Sequence, residues 1–278
     1  MMGAGRRAEE KEEECKKMEV KLISQEKEKT NLLIKGASTA LVNAFRRIIM
    51  EEVPAMAIED IEIRQNNSAL YDEMIGLRLG LLPLTTELKD YNLPSECKCK
   101  GEGCAQCQAK LTLKAKGPGM VYASQIKSDD PKVKPVYPKM PIVSLLEGQE
   151  VELEARAVLG RGKEHTKWSP GIAYYQQVPE IEIVKADEAA KIIASLPKNK
   201  VFEEKGSKIA VNEDELLQDP KVAEILDGVS EAIAVKYREE EFIFTIESWG
   251  QLEPKEMVSE AMKILLRKAD EIAKQIKA

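Results

Sequence analysis

The sequence predicts an α+β protein with a β-rich middle, helix-bearing ends and one metal-binding loop. Three observations lead there. Four of the five cysteines fall within eleven residues, as Cys97-x-Cys99-x4-Cys104-x2-Cys107. Long helical patterns occur near both ends, and period-2 alternation dominates between them. Charged residues make up 32 % of the chain and hydrophobic residues 43 %, enough for packed cores under a well-solvated surface. No stretch approaches the roughly 18 consecutive apolar residues of a membrane helix. The net charge of −6 has the wrong sign for a protein that wraps nucleic acid.

The first seventeen residues are almost all charged or small and include a lone Cys15. They read as a disordered tail, 1–17, and Cys15 as a free surface thiol. Structure is expected from about Met18. Val20 and Leu22, then Thr30, Leu32 and Ile34, alternate with polar residues as a half-buried strand pair. Gly36 and Ser38 punctuate and cap a helix from Thr39 to Glu52, with Leu41, Val42, Phe45, Ile48 and Ile49 on one face. Pro54 ends it. Arg46 and Arg47 project from the other side, where solvation accounts for them as well as binding does.

From Ala57 short strands and turns are predicted. Ile61 and Ile63 alternate, and Leu77 to Leu84 form an apolar run broken by Gly80 and closed by Pro83. Leu111/Leu113, Val121/Tyr122 and the alternation from Val151 to Ala157 supply further strands. The cysteine loop lies inside this region. Thiolates are soft donors, and two short-range pairs can close a tetrahedral site around Zn²⁺. Gly101 and Gly103 allow the sharp bends. Four protein ligands leave no open position, so the site reads as structural. An iron–sulfur cluster and a pair of disulfides are the competing readings, although the spacing fits neither common ferredoxin run. No apolar signal segment precedes the chain, which favours a reducing, cytoplasmic setting over disulfides.

Around Ala186 a third pattern begins: a helix over 189–196, strands at Val201–Phe202 and Ile209–Val211 around a Gly206–Ser207 turn, a helix over Asp214–Leu226, and a strand with Ile233, Val235 and Tyr237. This α-β-β-α-β order fits a small ferredoxin-like unit, and residues 186–235 contain no cysteine. Phe242, Phe244 and Ile246 then share a strand face, a Ser248–Gly250 turn follows, and Pro254 opens a terminal helix. Its Val258, Met262, Leu265, Ala269, Ile272 and Ile276 recur at spacings of 4 and 3, a coiled-coil-type seam. The seam serves either an internal core or a partner's helix, and its regularity favours the partner.

Catalytic constellations are missing. Gly160-Arg161-Gly162-Lys163 lacks the spacing and hydroxyl residue of a phosphate loop. His165 is the single histidine, which excludes a histidine-based triad or zinc-protease motif. Asp129 and Asp130 adjoin without a third carboxylate.

Four segments resemble one family in one order. Asn43–Ile48 with Glu52-Val53-Pro54 resembles the first-helix signature of the α-type subunits of cellular RNA polymerases. Leu77-Arg78-Leu79-Gly80-Leu81-Leu82-Pro83-Leu84 is similar to that family's leucine run. Residues Leu159 to Pro170 resemble its assembly loop in the archaeal and eukaryotic form, and Phe244–Gly250 leading to Pro254 resembles the strand and turn before its last dimerisation helix. Together they cover about 18–278, similar to archaeal D subunits and the third-largest subunit of eukaryotic RNA polymerase II.

The resemblance implies a discontinuous dimerisation domain (18–55, 174–185 and 236–278), an inserted β-rich domain (56–173) with its metal loop (97–107), and the ferredoxin-like insertion (186–235). It implies a non-catalytic assembly platform that pairs with the small α-like subunit L and then receives the two large catalytic subunits. DNA would be met only through the holoenzyme, a nucleotidyltransferase, and no membrane is involved. Phe45, Arg46, Arg47, Lys163, His165 and Lys167, with the six seam residues, become candidate subunit contacts. The metal is expected to be zinc, with no iron–sulfur cluster in 186–235. A freestanding zinc module for nucleic acid and an iron–sulfur redox protein remain the alternatives.

Overall fold

The computed structural model describes residues 18–196, 200–205 and 208–277. The tail 1–17, with Cys15, and the Gly206–Ser207 turn lie outside the described residues. Strands β1 (Glu19–Gln25) and β2 (Lys29–Lys35) form an antiparallel hairpin that leads into helix α1 (Thr39–Glu51). Gly36 takes φ +69° at the bend, a conformation glycine adopts without a Cβ clash. The Ser38 side chain then accepts the Leu41 N–H, capping α1.

The hairpin joins residues from the far end of the chain. The first sheet has the order β1-β2-β12-β9, all antiparallel, with β9 (Gly171–Ile183) and β12 (Ile233–Ser248). Helix α1 and the terminal helix α6 (Pro254–Lys277) pack on one face. Their core holds Val42, Phe45, Ile48 and Ile49 of α1 against Phe242, Phe244 and Ile246 of β12, with Met257, Ala261 and Ile264 of α6. Phe45 and Phe244 meet at 5.5 Å between ring centroids. Each fully buried large side chain of this kind contributes about 1.5–3 kcal/mol.

Between α1 and β9 the chain makes a second unit. Strand β3 (Pro54–Asn66) is followed by α2 (Asp72–Gly80), the cysteine loop, β4 (Gln108–Lys116), β5 (Gly119–Tyr122), β6 (Lys127–Ser128), β7 (Pro141–Leu145) and β8 (Glu150–Arg161). The order β3-β8-β4-β6 forms one sheet, and β5-β7 a small second one. Alternation along β4 and β8 puts Leu111, Leu113, Val151 and Leu153 inward. Their outward faces carry a charge ladder, with Lys114 on Glu152 at 2.5 Å and Lys116 on Glu150 at 2.9 Å. Gln251, buried in the turn before α6, ties the two units. Its carbonyl accepts the Thr86 N–H at 3.0 Å, and its side-chain amide donates to the Met56 carbonyl at 3.3 Å.

The third unit follows β9: α3 (Ala186–Ser195), the hairpin β10 (Phe202–Lys205) and β11 (Lys208–Val211), α4 (Glu213–Gln218) and α5 (Lys221–Leu226), then β12. The hairpin is a two-stranded sheet of its own. Ala189, Leu216, Ala223, Leu226 and Ile233 make a separate small core. Strands β9 and β12 run on from the first sheet to flank this unit, pairing as far as Ile183 and Ile233. Their register slips between Arg238 and Phe242, leaving the intervening residues of β12 unmatched, as at a bulge.

Several sequence expectations need correction. The Leu77–Leu84 run, grouped with strands and turns, is helical to Gly80. A run that is apolar at nearly every position carries no period, so only packing decides it. The helix expected over Asp214–Leu226 is two helices, broken at Asp219-Pro220. Proline there offers no N–H and pushes its predecessor out of helical geometry. Finally, Val20 and Leu22 are exposed rather than half-buried, and Leu41, expected on the apolar face of α1, is exposed too. Val20 and Leu22 pair with Ile34 and Leu32 and so share their face, but β1 is the sheet edge and the helices do not cover it.

Candidate metal centre and subunit-facing surfaces

The cysteine loop is shaped by its backbone before any ion is considered. A short turn at Pro94–Glu96 leads into Cys97, whose carbonyl accepts the Lys100 N–H at 2.9 Å. Lys100, Gly101 and Gly103 all take positive φ, +55°, +87° and +95°. This reverses the chain twice in four residues, which two glycines make feasible. Beyond it, the Cys104 carbonyl accepts the N–H groups of both Cys107 and Gln108, and β4 begins. The loop is anchored to β8 by Arg161, which pairs with Glu96 at 2.8 Å.

The result is four thiol sulfurs on one point, all within 4.8 Å of one another. Cys97–Cys104, Cys99–Cys107 and Cys104–Cys107 are separated by 3.6, 3.5 and 3.8 Å between Sγ atoms. No disulfide joins them. Cys97 and Cys107 are buried, whereas Cys99 and Cys104 face partly outward. The backbone N–H of Cys104 points to Cys107 Sγ at 3.2 Å. A hydrogen bond from the Gly103 N–H holds the Cys99 thiol down to about 6, while burial pushes Cys107 up to about 12. Such a cluster can hold a metal ion, since a shared cation stabilises all four thiolates together.

The other candidate residues divide into those occupied within the chain and those left outward. Phe45 belongs to the core with Phe244. Lys167 is also engaged: its ammonium donates to the Ile58 carbonyl at 3.1 Å, pairs with Glu59, and stands 4.4 Å from the Trp168 ring centroid. His165 is exposed, and its Nδ1 accepts the Lys167 backbone N–H at 3.0 Å, fixing the loop turn. Lys163 is exposed too, with its N–H on the Glu51 carbonyl at the end of α1. Arg46 leans on Asn43 and Met50, and Arg47 pairs with Glu51 at 3.3 Å. Thus Arg46, Arg47 and Lys163 lie where the 160s loop meets α1, and His165 stands two residues further along that loop. The loop sits that close because Gly160 and Gly162 have no Cβ; one would overlap the Trp168 ring and the other the Met50 carbonyl.

On α6 two adjacent stripes part company. Met257, Ala261 and Ile264 are buried against the first sheet and α1. The sequence-derived seam lies one residue further round. Val258 and Leu265 are half-buried, and Met262, Ala269, Ile272 and Ile276 are exposed. The second half of the helix stands clear of the chain's own core.

Comparison with known proteins bears on these surfaces. A family model described as the RNA polymerase Rpb3/RpoA insert domain matches residues 61–171. The chain is 38 % identical to the DNA-directed RNA polymerase subunit Rpo3 of Methanosarcina acetivorans, over 92 % of this chain and 97 % of that protein. It is 39 % identical to Rpo3 of Methanothermobacter thermautotrophicus, over 88 % and 96 %, and 37 % identical to Rpo3 of Pyrococcus furiosus, over 93 % and 97 %. The chain belongs to the Rpo3 family of archaeal RNA polymerase subunits.

The insert-domain match covers β4 to β8 and the cysteine loop, so the four-cysteine group lies within the matched insert domain. Neither alternative reading, a freestanding zinc module or a redox protein, finds support among these relatives. Among the described residues no helix is long and apolar enough to cross a membrane. Sequence reasoning missed two outward apolar features of this Rpo3-family chain: the edge pair Val20 and Leu22, and the outer side of α2 with Met74, Leu77 and Leu81. The edge pair had a visible signal, apolar residues in the right period, but the period does not say which side is covered; the leucine run of α2 gave no such signal.

Proposed function

We propose that this chain is a non-catalytic assembly subunit of DNA-directed RNA polymerase, acting in the cytoplasm. It pairs through its first sheet, α1 and α6 with the small α-like subunit L, and the pair forms the platform for the two large catalytic subunits. The observation that carries this reading is the offset on α6. Its own core takes Met257, Ala261 and Ile264, with Val258 and Leu265 packed at its margin, whereas Ile272 and Ile276 at the end of the second stripe stay exposed among the described residues. Val20 and Leu22 of β1 and Leu41 of α1 are exposed apolar side chains as well. Apolar helix seams that continue beyond a protein's own core are what partner helices bury. The polymerase reaction belongs to the holoenzyme; among the described residues no side-chain set supplies a nucleophile, base and oxyanion site. Arg46, Arg47, Lys163 and His165 then serve as polar contacts for a large subunit, with Lys167 holding their loop to β3.

For the metal, Zn²⁺ is the ion the donor set favours. With Zn–S near 2.3 Å a regular tetrahedron has edges of about 3.8 Å, against the 3.5, 3.6 and 3.8 Å between the sulfurs here. A cluster with each thiolate on a separate iron would spread them further. Cys97, Cys99, Cys104 and Cys107 would hold the ion, and its role is structural, closing a loop that has no apolar core of its own. Co-purification with subunit L and metal analysis of the same sample test both parts. A one-to-one complex with about one zinc per heterodimer is the expected result. A chain that stays monomeric beside subunit L refutes the platform, and iron in place of zinc refutes the metal assignment.

A further inference from the structure

The four sulfurs that suit a metal ion also stand in two pairs that suit cross-links. Of the three close separations between Sγ atoms, the two shorter are Cys99–Cys107 at 3.5 Å and Cys97–Cys104 at 3.6 Å. These two share no sulfur, so both bonds can form in one molecule. A disulfide spans about 2.05 Å, which leaves each pair about 1.5 Å to close. The competing Cys104–Cys107 approach is longer, at 3.8 Å. Closing it would leave Cys97 and Cys99, one residue apart in the chain, to pair with each other.

Exposure divides the cysteines along the same lines. Each short pair joins a sulfur that faces partly outward, on Cys99 or Cys104, to a buried one, on Cys107 or Cys97. A small solute meets the outward sulfur first and finds a second thiol directly behind it. The loop is also open from its inner side. A cleft of about 310 Å³ lies between it, β8 and the 160s loop, lined in part by Gly101, Gly103, Cys107, Glu164 and Trp168. The hydrogen bonds that shape the loop, from the Lys100 N–H to the Cys97 carbonyl and from the Cys107 and Gln108 N–H groups to the Cys104 carbonyl, run between backbone groups and do not use the sulfurs.

We propose that the loop is a redox switch, alternating between a metal-bound tetrathiolate and two crossed disulfides, Cys97–Cys104 and Cys99–Cys107. The proposal rests on the metal reading above and adds the regulation of that site. The oxidant is a small peroxide. The outward thiolate attacks one peroxide oxygen, the O–O bond breaks, and a sulfenic acid forms as hydroxide leaves. The buried thiolate of the pair then attacks that sulfur, and a second hydroxide leaves as the S–S bond closes. Each pair thus gives up two electrons and reduces one hydrogen peroxide to two hydroxides. Two such events leave no thiolate donor, so the ion is released. A dithiol reductant reverses both bonds by exchange. In a reducing compartment disulfides of this kind are transient, which suits a switch rather than a permanent staple. The crossed bonds keep the loop closed without the ion, so β4 keeps its place beside β8.

The test uses the heterodimer with the α-like partner, carrying Cys15→Ser so that the loop holds all of the chain's remaining cysteines. The zinc-loaded complex is treated with hydrogen peroxide. Zinc release is followed with a chromophoric chelator, the linkages by fragment mass spectrometry, and β4 and β8 by hydrogen exchange. Two peroxides should be consumed per zinc released, with Cys97–Cys104 and Cys99–Cys107 as the linkages, and dithiothreitol should restore zinc binding. Exchange in β4 and β8 should stay within about threefold of the loaded form, whereas chelation under reducing conditions should raise it at least tenfold. Zinc that outlasts oxidation of the exposed Met74 overturns the switch, as do sulfinic or sulfonic acids in place of disulfides. A Cys104–Cys107 linkage overturns the pairing. A heterodimer that never takes up zinc overturns the metal reading instead.

Discussion

Two isoleucines on α6, eight residues apart, should respond oppositely to the same truncation. Ile264 is 4 % exposed and lies in the core with Phe244 and Ile49, whereas Ile272 is 59 % exposed. Burying an isoleucine side chain completely is worth about 1.5–3 kcal/mol. The open share of Ile272, if covered by a partner, is therefore worth about 1–2 kcal/mol. At 1.4 kcal/mol per decade, Ile272→Ala should weaken partner binding about 5- to 25-fold. It should not destabilise the chain alone, because alanine is the better helix former. Ile264→Ala leaves a cavity instead and should cost about 2–5 kcal/mol of stability, lowering the melting temperature by about 4 °C or more. Isothermal titration with the partner and thermal melting of the isolated chain separate the two. If Ile272→Ala lowered the melting temperature as Ile264→Ala does and left affinity unchanged, the reasoning from the two stripes would be wrong.

Other consequences concern the inserted domain. Cys104→Ser should abolish stoichiometric metal in elemental analysis and loosen β4 and β8 in hydrogen exchange more than β2 and β12. Chelation of the wild type should reproduce that pattern. Gly162→Ala would set a Cβ on the Met50 carbonyl oxygen; a cost of about 1–3 kcal/mol and faster exchange of the Lys163 amide, bonded to Glu51 at 2.9 Å, are expected.

The Tyr91 hydroxyl donates to Asp130 at 2.6 Å and, with the Lys132 N–H, holds that carboxyl below its usual range. A folded-state pKa below the unfolded value of about 3.9 means stability present above that pH and lost as pH falls through the folded value. Tyr91→Phe should thus destabilise by about 1 kcal/mol near neutrality, with the gap to wild type closing below about pH 4 in urea titrations.

Much of this was legible in the residues alone. Spacing placed the four cysteines, because short loops with two glycines can return to one point whatever surrounds them. Gly36, Ser38 and Pro54 marked the limits of α1, because caps and breakers act through the local backbone. The leucine run of α2 was not legible, since an almost uninterrupted apolar stretch fits either period. Nor could residue chemistry show that Lys167 turns in to Ile58 and Glu59 while Lys163, four residues earlier, stays out.

Periodicity found an apolar seam on α6 but could not choose between two stripes one residue apart. That choice depends on where Phe242 and Phe244 arrive from a strand only the first sheet positions. By itself, the sequence determined local conformation and donor chemistry, which depend on neighbours a few residues away. Only the tertiary structure decided which apolar faces stay uncovered, because coverage depends on elements more than a hundred residues apart in the chain.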